Sequence, residues 1–171
     1  MLNVIGVIHA FIFLYGFYPL LIPASKFYDK VYLLYTIIIS LNWSIFKGEC
    51  YISYLWKKLE NPDYIMGSNV FDMSDIKSIF PSVNSYFVEN SMIYLILFIQ
   101  ILFVYTAIRS KLLPISLSLL YLVITSFVLF RVRKFYNKKL HDRLEKYMIL
   151  DFLNILSIVI LIYIMYIIWN K

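Results

Sequence analysis

The chain has 171 residues, 62% of them hydrophobic and 15% charged, with a formal net charge of +6. A water-soluble domain carries roughly 25% charged residues and about half apolar ones. Aqueous packing would leave too much apolar surface uncovered, so lipid is the expected solvent. One cysteine and two histidines exclude an intrachain disulfide and a cysteine-built zinc cage, and argue against bis-histidine haem. No metal or cofactor is therefore expected.

The first apolar run covers residues 4–22, with Pro19 and Pro23 near its far end. No Lys or Arg precedes it and no small-residue cleavage pattern follows, so it reads as a membrane helix and not a signal peptide. Residues 24–30 read as a short polar turn. The second run covers 31–46. Beyond it, a 100° wheel places Gly48, Tyr51, Ile52, Leu55, Trp56 and Leu59 on one side. Glu49, Cys50, Ser53, Lys57 and Glu60 fall on the other. That pattern predicts an amphipathic extension of the second helix to residue 60. A continuous helix from 31 to 59 would be about 43 Å long. Asn61-Pro62 is its expected stop.

Residues 61–90 are mixed in character. Asp72 and Asp75 ahead of Ile76 predict a short capped helix there, ending at Pro81. The third run spans 91–108 and the fourth 112–130. The link Arg109-Ser110-Lys111 is short enough to force an antiparallel hairpin. A basic block follows: Arg131, Arg133, Lys134, Lys138, Lys139, Arg143 and Lys146. The fifth run spans 147–169. The predicted fold is all-α: a polytopic transmembrane helix bundle with about five membrane helices, forming one integral membrane domain over residues 1–171.

Five crossings put the N-terminus, the 47–90 loop and the basic block on one side, with eleven Lys and Arg against five opposite. The positive-inside rule then places the N-terminus in the cytosol and the C-terminus across the membrane. Four crossings, with the first run flat or the second re-entrant, remain the alternative. This threading brings His9, Asn42, Glu49, Asp151 and Asn154 to similar depth near the cytosolic side. Polar groups facing lipid cost several kcal/mol, on the order of 2.5–3.5 for an Asp at the centre. The five are therefore expected to turn inward, with Lys47 a partner for Asp151 or Glu49. They form either a polar pocket or a set of interhelical hydrogen bonds. Gln100 stands alone in mid-membrane. Cys50 with His9 or His141 as a nucleophile pair finds no support in the spacing, and Cys50 is expected to be a small, unreactive hydrophobe. No catalytic residue is assigned.

The basic block fits anionic lipid head groups, each Lys or Arg contributing roughly 1 kcal/mol. Nucleic acid is not expected. Asn42-Trp43-Ser44 matches a glycosylation sequon at a cytosolic membrane edge, where it is expected to stay unmodified. Tyr28, Trp43, Tyr86, Tyr147 and Trp169 suit interfacial belts.

The pattern Trp43-x5-Glu49-Cys50-x-x-Ser53-Tyr54, followed by Asn61-Pro62-Asp63-Tyr64 and Gly67, resembles a segment of small, uncharacterised multi-pass membrane proteins of large DNA viruses. It is also distantly similar to a bacterial membrane family of unknown function, in which His precedes the Trp. Asn42 takes that place here, so no imidazole stands at that position. The resemblance implies a membrane protein and supplies no catalytic residue. The expected role is structural or interactive, with membrane-protein partners or copies of itself. The alternatives are a small transporter or channel subunit and a lipid head-group-modifying enzyme. A pocket among the polar residues would favour the alternatives, and solid packing would favour the first reading.

Overall fold

A computed structural model describes residues 4–68, 85–132 and 149–171. Among them the chain is all-α, with seven helices and no strand: α1 (Val4–Tyr15), α2 (Tyr18–Leu21), α3 (Lys26–Ile45), α4 (Tyr51–Glu60), α5 (Ser85–Ser110), α6 (Ile115–Val132) and α7 (Ile149–Trp169). The helix expected around Asp72–Pro81 lies outside the described residues. So does the basic block beyond Val132, from Arg133 to Lys146.

The first apolar run is two helices, not one. Gly16 N–H donates to Phe13 O at 3.0 Å and Phe17 N–H to Leu14 O at 3.1 Å, tightening the last turn of α1. Pro19 has no N–H for the Tyr15 carbonyl, so an α-helix cannot pass through unbroken. Tyr32 donates its hydroxyl to the freed Gly16 carbonyl at 3.1 Å. Gly16 also lets α1 approach α5, since a Cβ there would meet Ile99 Cδ1 at 2.6 Å.

Residues 26–30, read above as part of a polar turn, are the first turn of α3. An acidic residue is favoured in a first turn by the helix dipole, and Asp29 occupies it. The second correction is at the other end. α3 stops at Ile45 and does not run on to residue 60. Lys47 and Gly48 take φ of 55° and 86°, and Gly48 N–H reaches back to Trp43 O at 2.6 Å. This is a Schellman-type stop, in which left-handed residues turn orphan carbonyls back onto the chain.

α3 is the central helix, packing on α5, α6 and α7, while α5 and α6 form the expected hairpin. Tyr32, Leu33 and Ile37 of α3 are fully buried, with Phe103, Leu112, Tyr121, Leu161, Ile164 and Ile168 around them. Phe103 and Tyr121 stack with centroids 3.7 Å apart. Side-chain contacts fix the direction of each helix. At one end Arg109 of α5 donates to Asp29 of α3 at 3.0 Å and to the Pro19 carbonyl at 2.9 Å. Tyr18 donates to the same carboxylate at 3.1 Å. Lys30 donates to the Trp169 carbonyl there at 2.7 Å. At the other end Asn154 of α7 donates to Ser44 O of α3 at 3.0 Å. Successive long helices therefore alternate in direction.

The outer surface is apolar. Val4, Phe11 and Leu14 of α1, Ile101 and Tyr105 of α5, Val123 of α6, and Phe152, Ile155, Val159 and Tyr166 of α7 are all exposed. Among the described residues one helix, Asp151–Trp169, is long and apolar enough to cross a membrane, with mean hydropathy 2.4. Gly6–Tyr15, Tyr94–Ser110 and Ile115–Leu129 are shorter apolar helices.

The Asp29 side chain is 1% exposed, so its charge depends on Arg109. Removing one partner of a buried pair leaves an uncompensated charge, which destabilises by about 3–5 kcal/mol. Arg109→Gln is expected to lower stability on that scale in a detergent melting experiment. Asp29→Leu with Arg109→Met, which removes both charges, should recover much of the loss.

Candidate functional site

The stop at Gly48 leaves two residues, Glu49 and Cys50, before α4 begins. Each finds a buried partner. Cys50 Sγ lies 3.2 Å from His9 Nε2 on α1. The pairing given no support by sequence spacing is thus formed in space, 41 residues apart. Asn42 holds the start of α4 in place: its Oδ1 accepts from the Tyr51 N–H at 3.0 Å. Cys50 occupies the N-cap position of α4 without a side-chain cap bond.

The surroundings of the thiol pull in opposite directions. Burial raises its pKa. The His9 ring, by hydrogen bond and charge, and the backbone amides of Ile52 and Ser53 pull it lower still. The net displacement is below the ordinary thiol value. A thiolate is stabilised in this way at a helix N-terminus and beside a histidine.

His9 and Cys50 stand at the wall of a cavity of ≈ 110 Å³, partly open to the outside, between α1, α3, α5 and α6. Ile12, Ile39, Ile96, Ile99 and Val128 give it apolar walls, and Ser40, Gln100 and Thr125 place polar groups among them. Gln100 is 4% exposed. Ser126 Oγ donates to its carbonyl oxygen at 3.5 Å. Ser40 Oγ lies 2.8 Å from the Tyr121 hydroxyl.

Glu49 points into a different site. Its Oε1 accepts from Lys57 Nζ and from the Tyr64 hydroxyl, both at 2.8 Å, and its Oε2 accepts from Gly67 N–H at 3.1 Å. The Glu49 side chain has no exposure and Lys57 only 7%. Lys57, not Lys47, is thus the partner of Glu49. This clasp folds residues 61–68 against α4. Of the two sides of the amphipathic helix, the polar one contributes the buried Lys57, while Tyr51, Leu55 and Leu59 of the apolar one are exposed.

The predicted polar group therefore shares one end of the bundle but divides. His9 alone lines the cavity, Asn42 caps α4, Glu49 closes the clasp and Asn154 bonds Ser44 O. Asn154 Oδ1 is buried without a hydrogen-bond partner. Asp151 is exposed, against the expectation that it turns inward; at the start of α7 an outward carboxylate avoids a desolvation penalty. Among the described residues, no group of three or more His, Cys, Asp or Glu is placed to hold a metal. Sequence reasoning missed three pairings: His9–Cys50, Glu49–Lys57 and Asp29–Arg109. Gly48, as a helix stop, was the available signal for the first two. For the third it was the threading, which already placed Asp29 and Arg109 on one side.

No family model, curated protein or solved structure matches this chain.

Two outcomes follow from the charges. Alkylation of Cys50 by iodoacetamide should rise at a lower pH than for a free thiol, and His9→Ala should move the profile back up. In the clasp, burial lowers the Lys57 pKa, but Glu49 and Tyr64 raise it further, so it ends above its ordinary value. The stability this contributes is complete below the unfolded lysine pKa and is lost as pH rises through the folded one. Limited proteolysis across 61–68 should therefore accelerate only in strongly alkaline solution. Glu49→Gln should bring that acceleration to neutral pH.

Proposed function

We propose that the protein is a multi-pass membrane protein whose helix bundle holds the end of an apolar-chain ligand, a lipid or fatty acyl group, in the cavity beside His9 and Cys50. The cavity itself carries the reading. Ligand sites are concave, mostly apolar and furnished with a few convergent polar groups. At ≈ 110 Å³ it is somewhat smaller than the roughly 150 Å³ apolar cavity that takes benzene. It accommodates the carbonyl and first few carbons of a chain, and the remainder leaves through the open side.

Several features support placement in a membrane. The exposed apolar faces of α1, α5, α6 and α7 far exceed the patches of a few hundred Å² usual for soluble monomers. The helices alternate in direction, as successive crossings would. α4, with Tyr51, Leu55 and Leu59 exposed alongside Lys58 and Glu60, suits the lipid–water interface. The end of the bundle around Asp29 is filled by Tyr18, Tyr32 and Leu33, which favours a ligand pocket over a channel. On this reading the end bearing α4 faces the cytosol, and anionic lipid heads meet the basic residues there.

Mass spectrometry of the protein purified in mild detergent should find a co-purifying lipid or fatty acid. Ile39→Trp, which fills the cavity, should reduce that lipid several-fold without lowering the melting temperature. Topology is read with single cysteines on a Cys50→Ala background. Lys58→Cys and Lys111→Cys should react with a membrane-impermeant maleimide from opposite faces of the vesicle.

A further inference from the structure

Resting on the ligand reading above, we infer that Cys50 is a nucleophile that accepts an acyl group from a long-chain acyl thioester, with His9 as its general base. Three independent observations converge on this assignment. The first is geometric: Sγ and Nε2 stand 3.2 Å apart, within reach for proton transfer given that such contacts are often loose without substrate. The second is the cavity, which begins at these two side chains and continues between apolar walls. The third is Gln100, a polar side chain only 4% exposed that lines the same cavity. A polar group set in an apolar wall offers a ligand oxygen a hydrogen-bond partner.

The step balances without any further reagent. His9 Nε2 takes the Sγ proton, and the sulfur attacks the carbonyl carbon of the donor thioester. The tetrahedral intermediate collapses with cleavage of the bond from that carbon to the donor sulfur. The departing thiolate takes the proton from His9. The acyl group now rides on Cys50 and one free thiol is released. A thioester is the favoured donor because attacking and leaving groups are both thiols, so the exchange is close to isoenergetic. An oxygen ester would instead require expulsion of a far more basic alkoxide.

Local structure serves the same end. The amides of Ile52 and Ser53 at the start of α4 stabilise negative charge at the sulfur. The bond from Tyr51 N–H to Asn42 fixes the orientation of that helix end. Asn42 is a positioning residue and does not touch the thiol. The neighbouring acid, Glu49, is engaged by Lys57 and Tyr64 and so does not compete for the His9 proton.

The full chain, purified in mild detergent, is incubated with palmitoyl-coenzyme A and followed by intact mass. The expected product gains one palmitoyl group that neutral hydroxylamine removes. Cys50→Ala should gain none, and His9→Gln should react on the order of 100-fold more slowly. Should His9→Gln fail to fold, the pH–rate profile of the unaltered chain decides: a midpoint below the free-thiol range supports the assignment. A profile like that of a free thiol overturns it, as does equal acylation in His9→Gln, which would mark uncatalysed transfer. Co-purifying lipid in Cys50→Ala separates the two proposals. Lipid retained while the unaltered chain stays unacylated sinks the nucleophile and leaves the ligand reading standing. Absence of lipid from every variant sinks the ligand reading itself.

Discussion

Two left-handed residues at the end of α3 decide where the chemistry of this protein falls. An α-helix continued through Lys47 and Gly48 would carry Glu49 and Cys50 along the axis of α3, away from their partners. The stop turns the chain, and α4 starts in a new direction with Cys50 at its N-cap. His9, Asn42 and Lys57 then come within reach of three consecutive features: a thiol, a helix terminus and a carboxylate. Glycine bears a positive φ without steric penalty, whereas Lys47 adopts it at a small cost that its neighbours offset.

The two ends of the bundle do different work. Around Asp29 the packing is tight and the charges are neutralised in place: a carboxylate takes a guanidinium and a phenol, and the guanidinium also takes a carbonyl. Around His9 the packing leaves space. The aromatic pair Phe103–Tyr121 and the Ser40–Tyr121 contact lie between these regions and give the cavity a firm wall. A rigid closed end and an open polar end suit a pocket that admits one portion of a molecule and leaves the rest outside.

Much of the fold was legible in the composition and in the spacing of apolar runs. The hairpin of α5 and α6 followed from a three-residue link, and the alternation of helices from the count of apolar runs. The helix breaks were harder to read. Pro19 lay close enough to the end of its run to look like a terminus, yet the helix yields a turn earlier because the Tyr15 carbonyl loses its donor. Gly48 was placed on a helical wheel as one more small residue, although its freedom of φ made it the stop. That single misreading displaced Glu49 and Cys50 together. It hid the His9 contact, because a thiol on a continuing helix would have pointed elsewhere. The threading gave five polar residues a similar depth. Depth alone does not fix azimuth, so Asp151 came out exposed and Asn154 found a backbone carbonyl instead of its expected companions.

α4 is ten residues long and held at both extremities, by the Asn42 and His9 contacts at one end and the Glu49–Lys57 clasp toward the other. A short helix pinned in this way behaves as a lever. Displacement at the lysine is transmitted along a stiff rod to the sulfur about 10 Å distant, at ~1.5 Å per residue. Thiol and ion pair are thereby mechanically yoked, through this rod as well as through the peptide bond that joins Glu49 to Cys50.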